Sequence, residues 1–191
     1  MTIAPLTSPY EPKKPQHIPF EAFLKKYGKG SIGYKYEWNA GIVEKTTSMK
    51  QNELYIVNNL QERLYMLHLN KRGLLSQETE VWTSKTQWRK PDIAYFSKEQ
   101  IQTSAANQNN IPPFVIEVIS TFDPINIVTN KVIEYFKAGV EVVWHIFPEQ
   151  QMVYIFTSPK LITVCEGDDI CSAAPALPDF QMAAKDIFKQ L

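Results

Sequence analysis

Hydrophobic and polar positions change period several times along this chain, and the changes divide it into elements. Phe20 to Tyr27 is predicted to form a short helix ending at Gly28. Tyr34 to Trp38 and Ile42 to Lys45 are rich in aromatic and β-branched residues and flank Asn39-Ala40-Gly41, which predicts a hairpin. Ser48 and Gln51 have capping-box spacing. Leu54, Val57, Leu60, Leu64 and Leu67 then recur at helical intervals, so a helix is expected to run toward Gly73. Leu74 to Thr83 and Pro91 to Phe96 read as strands, and polar Ser97 to Ile111 as a surface loop. The nearly unbroken apolar run Phe114 to Ile119 suits a strand buried on both faces. Asp123-Pro124 then offers an N-cap and a first-turn proline for a helix that buries Val128, Val132 and Phe136 and stops at Gly139. Strands at Val142 to Phe147, Met152 to Phe156 and Leu161 to Cys165 follow, with a closing helix over Ala183 to Gln190. The order is that of an α/β fold, a mixed central β-sheet flanked by helices, with an N-terminal hairpin.

Composition narrows this picture. A chain of 191 residues, 44% hydrophobic and 21% charged, fits one ordinary globular domain. Pro5, Pro9, Pro12, Pro15 and Pro19 mark residues 1–19 as an extended N-terminal arm, leaving residues 20–191 as the single domain. No apolar stretch is long enough to span a bilayer and no signal-peptide layout opens the chain, so the expected place is the cytoplasm, with no membrane partner. Cys165 and Cys171 match no common zinc spacing, and His17, His68 and His145 are scattered, so the thiols are expected to be free. Net charge is zero, which counts against a phosphate-rich partner. The charge is uneven, however. Lys13, Lys14, Lys25, Lys26, Lys29 and Lys35 face only Glu11 and Glu21, and Lys85, Arg89 and Lys90 precede Pro91-Asp92. Either cluster suits nucleic acid or plain solvent.

Three residues carry candidate chemistry. Glu117 lies within an apolar strand, sharing a face with Val115 and Ile119. A buried carboxylate needs a partner, and an arginine, a lysine or a metal ion would each serve. Asp92 opens a second strand behind Pro91. It is either a turn aspartate or a second carboxylate beside the first, and two carboxylates with water suffice for a hard cation such as Mg²⁺. Lys131 lies on the following helix, either solvated and paired with Glu134 or turned toward the carboxylates.

Pro91-Asp92, the run Pro112 to Ser120, and Lys131…Tyr135…Gly139-Val140…Val143-Trp144 together resemble the Uma-two family of restriction endonucleases, in the PD-(D/E)XK nuclease superfamily. Tyr36-Glu37 through Gly41-Ile42-Val43 and Gly167-Asp168…Leu177-Pro178-Asp179-Phe180 extend the resemblance over most of residues 34–190. It implies a restriction-endonuclease-like core with Asp92, Glu117 and Lys131 as catalytic residues. Mg²⁺, replaceable by Mn²⁺, would be held by Asp92, Glu117 and the main-chain carbonyl of Val118. The superfamily motif places its lysine two residues after the glutamate, where this chain has Ile119, so the resemblance assigns the role to Lys131. It implies hydrolysis of phosphodiester bonds in double-stranded DNA, and a homodimer, since one site per chain cuts one strand. Glu53, Glu62 and Glu80 compete for a further acidic ligand. The alternatives are a non-catalytic nucleic-acid-binding or protein-interaction module on the same fold, and a hydrolase of small phosphoesters.

Overall fold

A computed structural model of the chain describes residues 17–190. The expected arm therefore lies mostly outside the described residues; at its end, the Ile18 N–H donates to the Gly41 carbonyl at 2.8 Å.

Helix α1 (Phe20–Tyr27) leads into the hairpin of β1 (Tyr34–Asn39) and β2 (Ile42–Thr47). Ala40 and Gly41 both take positive φ at its turn, the conformation that suits a two-residue hairpin loop. Helix α2 (Leu54–Met66) is shorter than its sequence pattern predicts, because His68 goes left-handed just beyond it. Gly73 instead opens strand β3 (Gly73–Gln77), where a Cβ would stand 2.2 Å from the Phe96 carbonyl oxygen. The single strand expected over Leu74 to Thr83 is two: β3 and β4 (Val81–Ser84) belong to different sheets. β5 (Gln87–Arg89) and β6 (Ile93–Ser97) follow.

The expected loop after Ser97 contains helix α3 (Lys98–Ala105). Ser97 Oγ accepts from the Gln100 N–H, and the Gln100 side chain accepts from the Ser97 N–H. α3 buries no residue, so no apolar stripe betrays it. β7 (Phe114–Val118) is buried throughout. α4 (Ile125–Ala138) carries the chain across to β8 (Val142–Phe147), parallel to β7 as such a crossover requires. Pro124 is the cap residue of α4 and Asp123 lies before it. The Asp123 carboxylate accepts from the N–H groups of Ser120 and Thr47, tying the β7–α4 loop to β2. β9 (Met152–Ser158), β10 (Leu161–Glu166), the hairpin β11 (Ile170–Ala173) and β12 (Leu177–Ala183), and the single turn α5 (Ala184–Ile187) finish the chain.

The main sheet runs β10-β9-β8-β7-β6-β3 and is mixed; the second runs β2-β1-β5-β4. Ile116, Phe114 and Trp144 pack with α2, α5 and the β11–β12 hairpin on one face of the main sheet. Val115 and Val143 pack with Val132 and Tyr135 of α4 on the other. By the alternation of a strand, Glu117 shares the α4 face with Val115. No helix among the described residues is long and apolar enough to cross a membrane.

Candidate active site

Strand β1 inverts the usual logic of a half-buried strand. Tyr34, Tyr36 and Trp38 alternate with Lys35 and Glu37, and it is the charged pair that is buried. Tyr36 and Trp38 join an aromatic cluster on the other face, while Tyr34 is exposed. Tyr36 lies against Tyr27 of α1 at 5.0 Å, and Trp38, Trp82 and Trp88 surround Phe20. Lys35 and Glu37 are thereby turned toward β7 and α4.

There they meet the carboxylates. The Lys35 Nζ lies 2.6 Å from Asp92 Oδ1 and 3.3 Å from Glu117 Oε2, so both acids converge on one ammonium. Asp92 Oδ2 accepts from the Val118 N–H at 2.8 Å, which locks the start of β6 to the end of β7. Glu117 Oε1 accepts from the Tyr135 hydroxyl at 2.6 Å and pairs with Lys131 Nζ at 2.7 Å. Lys131 also reaches Glu37, at 3.1 Å. It is buried and does not pair with Glu134; that glutamate, with Glu37 and Glu44, surrounds the fully buried guanidinium of Arg89. Lys35 and Arg89, read in sequence as members of basic clusters, are thus both internal.

The two site carboxylates differ in their electrostatics. Burial drives Asp92 up to about 7; Lys35 opposes that shift and the Glu117 charge reinforces it. Burial acts the same way on Glu117, but Lys131 and Lys35, helped by the Tyr135 hydroxyl, hold it well below the usual carboxylate range. Glu37 is likewise held low by Lys131 and Arg89 against its burial. Glu117 is therefore held ionised while burial pushes its neighbour Asp92 toward the neutral form.

A cavity of about 20 Å³ opens between Asp92, Glu117, Val118, Thr46, Lys131 and His145, room for roughly one water-sized species. Thr46 and His145 line it, and Thr46 Oγ1 and His145 Nε2 are buried without a hydrogen-bond partner. Burial lowers His145 to about 4, so its ring is neutral at ordinary pH. The connected network holds three cations (Lys35, Arg89, Lys131) against five carboxylates (Glu37, Glu44, Asp92, Glu117, Glu134). The excess of carboxylate lies at the Arg89 end, where one guanidinium faces Glu37, Glu44 and Glu134; Lys35 and Lys131 together match Asp92 and Glu117. No three His, Cys, Asp or Glu side chains among the described residues gather to hold a metal. A hard cation needs only one or two carboxylates, which Asp92 and Glu117 would supply beside Val118; the space left there takes one water-sized species rather than a hydrated ion. Lys35 stands against the same two oxygens and is the competitor for that place.

The structure thus brings Asp92, Glu117, Val118 and Lys131 together, and adds Lys35, Glu37, Tyr135 and His145. Glu53 instead accepts from the Lys50 N–H, Glu80 lies near Lys90, and Glu62 is exposed. Glu37 belongs to the family resemblance and Lys35 to a basic cluster, but their charged-aromatic alternation reads naturally as aromatic-in, which hides both from the site. Cys165 and Cys171 are free and buried, away from this network.

Comparisons with known proteins agree with this architecture. The family model Uma2, described as "Putative restriction endonuclease", matches residues 20–185. A crystal structure described as "a putative nuclease belonging to DUF820", from Anabaena variabilis, is similar with a TM-score of 0.73 at 18% sequence identity. The match covers 90% of this chain and 97% of that one, a likeness of fold. No curated protein matches the chain.

Proposed function

The chain belongs to the Uma2 family, and from that premise we propose that it is a magnesium-dependent endonuclease acting on double-stranded DNA. The observation that carries this reading is the convergence of Asp92 and Glu117 on one cation position. Asp92 and Glu117, with the Val118 carbonyl, would hold Mg²⁺ or Mn²⁺. The chemistry such an ion supplies is a polarised phosphate and a more acidic bound water. Glu117 is kept ionised and aimed by Lys131 and the Tyr135 hydroxyl. The Lys131 ammonium offsets charge that develops on the phosphoryl oxygens as water attacks phosphorus and the P–O bond to the leaving oxygen breaks. Lys35 belongs to the same site and also borders a polar basin of about 280 Å³, lined further by Lys29, Lys90 and Glu78, which suits the phosphates of a bound strand. In this reading residues 20–191 form one nuclease domain, act in the cytoplasm, and pair as a homodimer so that two sites cut two strands.

The neutral net charge favours a second reading, a non-catalytic nucleic-acid-binding module on the same fold. Plasmid nicking in Mg²⁺, Mn²⁺ and EDTA separates the two. The expected result is metal-dependent cleavage that falls about 100-fold or more in Lys131→Met, the scale of losing one transition-state charge partner. Cleavage that persists in EDTA, or that Lys131→Met leaves unchanged, removes this assignment. DNA binding with no cleavage in any metal selects the non-catalytic module.

A further inference from the structure

Beside the small cavity lies a larger one, of about 280 Å³, between α4 and strands β8 to β10. Ile119, Asp123, Val128 and His145 line both, so the two spaces share a wall. The larger one is apolar, with Phe147, Tyr154 and Phe156 from the sheet facing Ile133 of α4, and Ile162 closing the β10 side. Its polar wall includes His145, whose Nε2 lacks a partner. Phe147 and Tyr154 lie with ring centroids 4.6 Å apart, and His145 stands edge-on to Phe156 at 4.9 Å.

We propose that this cavity receives one unstacked nucleobase, from a nucleotide flanking the scissile phosphate of the strand bound at Asp92 and Glu117. Three features select that occupant. The first is sequence along the surface: a lysine-lined basin, the carboxylate site and the apolar cavity are contiguous, Lys35 bordering the first two and His145 the last two. A polynucleotide offers phosphates and bases in that alternation. The second is chemistry: aromatic and aliphatic walls with one hydrogen-bonding ring match a planar heterocycle with polar edges. The third is size, since a cavity of about 280 Å³ falls just under the roughly 300–1,000 Å³ of drug-sized ligand pockets and suits a single ring system. His145 Nε2, buried and without a partner, is the nitrogen available to hydrogen-bond such an edge. A duplex substrate would have to swing this base out of its stack; an unpaired base would enter without that cost.

The proposal rests on the nuclease reading, and the test separates their failures. A fluorescently labelled DNA strand is titrated with the protein in Ca²⁺, beside a set in which each nucleotide in turn lacks its base. Binding is followed by anisotropy, and cleavage of the same strands is run in Mn²⁺. One abasic position is expected to weaken binding at least about fivefold, the low end of what one stacked base contributes. Ile133→Trp, which fills the cavity from its half-exposed side, should weaken the intact strand by the same factor and leave that abasic strand unchanged. Ile162→Trp fills it from the opposite wall and serves if Ile133→Trp melts early. If all abasic strands bind the wild-type protein as the intact one does, the base pocket is wrong while the nuclease stands. Filled variants that bind the intact strand normally, or that weaken both strands equally, also overturn it. A wild-type protein that neither binds nor cuts any strand brings down both.

Discussion

Lys35 and Arg89 sit on paired strands of the same four-stranded sheet, both buried and both surrounded by carboxylates. Arg89 is sealed. Its guanidinium joins Glu37 of β1, Glu44 of β2 and Glu134 of α4, and no cavity described above reaches it. Lys35 is buried too, but it borders two cavities, and one of its acids, Asp92, is poised near neutrality. Glu37 belongs to both halves, bonding Arg89 on one side and Lys131 on the other. Identical chemistry therefore serves two ends. Around Arg89, three carboxylates share one guanidinium with no space left, and the contacts pin the second sheet to α4. Around Lys35, two ammonium groups match two carboxylates and space is left beside them, which is what a binding site requires.

The largest effect expected from this contrast is at Arg89. Arg89→Met leaves Glu37 buried and strips three carboxylates of their shared cation, so it should cost about 3–5 kcal/mol, as broken buried pairs do. In a chain of this size that lowers the melting temperature by about 2–4 °C per kcal/mol. Added Mn²⁺ should not restore it. A melting temperature within a degree or two of wild type, or full rescue by metal, would erase the distinction between the halves.

Asp92→Asn should act in the opposite direction. The Asp92 carboxyl titrates at about 7 in the folded protein against 3.8 as its ordinary value, so folding favours its protonated form. The stability it contributes is full below about pH 4 and is lost as pH rises through 7. Asparagine stays neutral throughout. Thermal melts of metal-free protein should show the two nearly equal at pH 4 and the variant more stable by several degrees at pH 8. A variant less stable than wild type at pH 8 would mean that the Lys35 ion pair outweighs burial.

What sequence could reveal of these halves followed from which signals are local. A carboxylate in an apolar strand is visible at once, and Glu117 stood out for that reason. Asp92 was ambiguous until set beside it. Lys131 lies one residue from the Val132 stripe on α4, where periodicity alone assigns it to solvent; family resemblance brought it in. Arg89 and Lys35 were misplaced among surface bases because their partners come from 45 and 57 residues or more away, with nothing local to mark them. The same logic covers the fold. The β1–β2 turn and the buried β7 were legible, while α3, which buries nothing, and the β11–β12 hairpin, a partner of the main core, were not.

A smaller effect sharpens the open half. Lys35→Met removes the cation that shares Asp92 Oδ1 and Glu117 Oε2, the oxygens a metal would need. Mn²⁺ affinity, read by paramagnetic titration or calorimetry, should rise about tenfold. That is a conservative share of the roughly 4 kcal/mol between unit charges 4 Å apart at an effective dielectric constant near 20. Unchanged or weaker Mn²⁺ binding would show that Lys35 supports the metal position rather than competing for it.

The smallest effect is the internal control. Lys137 shares α4 with Lys131, carries the same charge and lies in its last turn, but it is exposed while Lys131 is buried. At 100° per residue the six steps from Lys131 to Lys137 rotate the side chain well away from the Glu117 face. Lys137 can gain a little from the helix dipole, about 0.3–1 kcal/mol at low ionic strength and less in salt. Lys137→Met should therefore shift stability by no more than about 0.5 kcal/mol in ordinary salt and leave Mn²⁺ binding and cleavage untouched. Measured beside Lys131→Met in one buffer, the pair isolates position from charge. Equal losses in both variants would mean that the network responds to the total charge of α4, and the geometric case for Lys131 would fail with it.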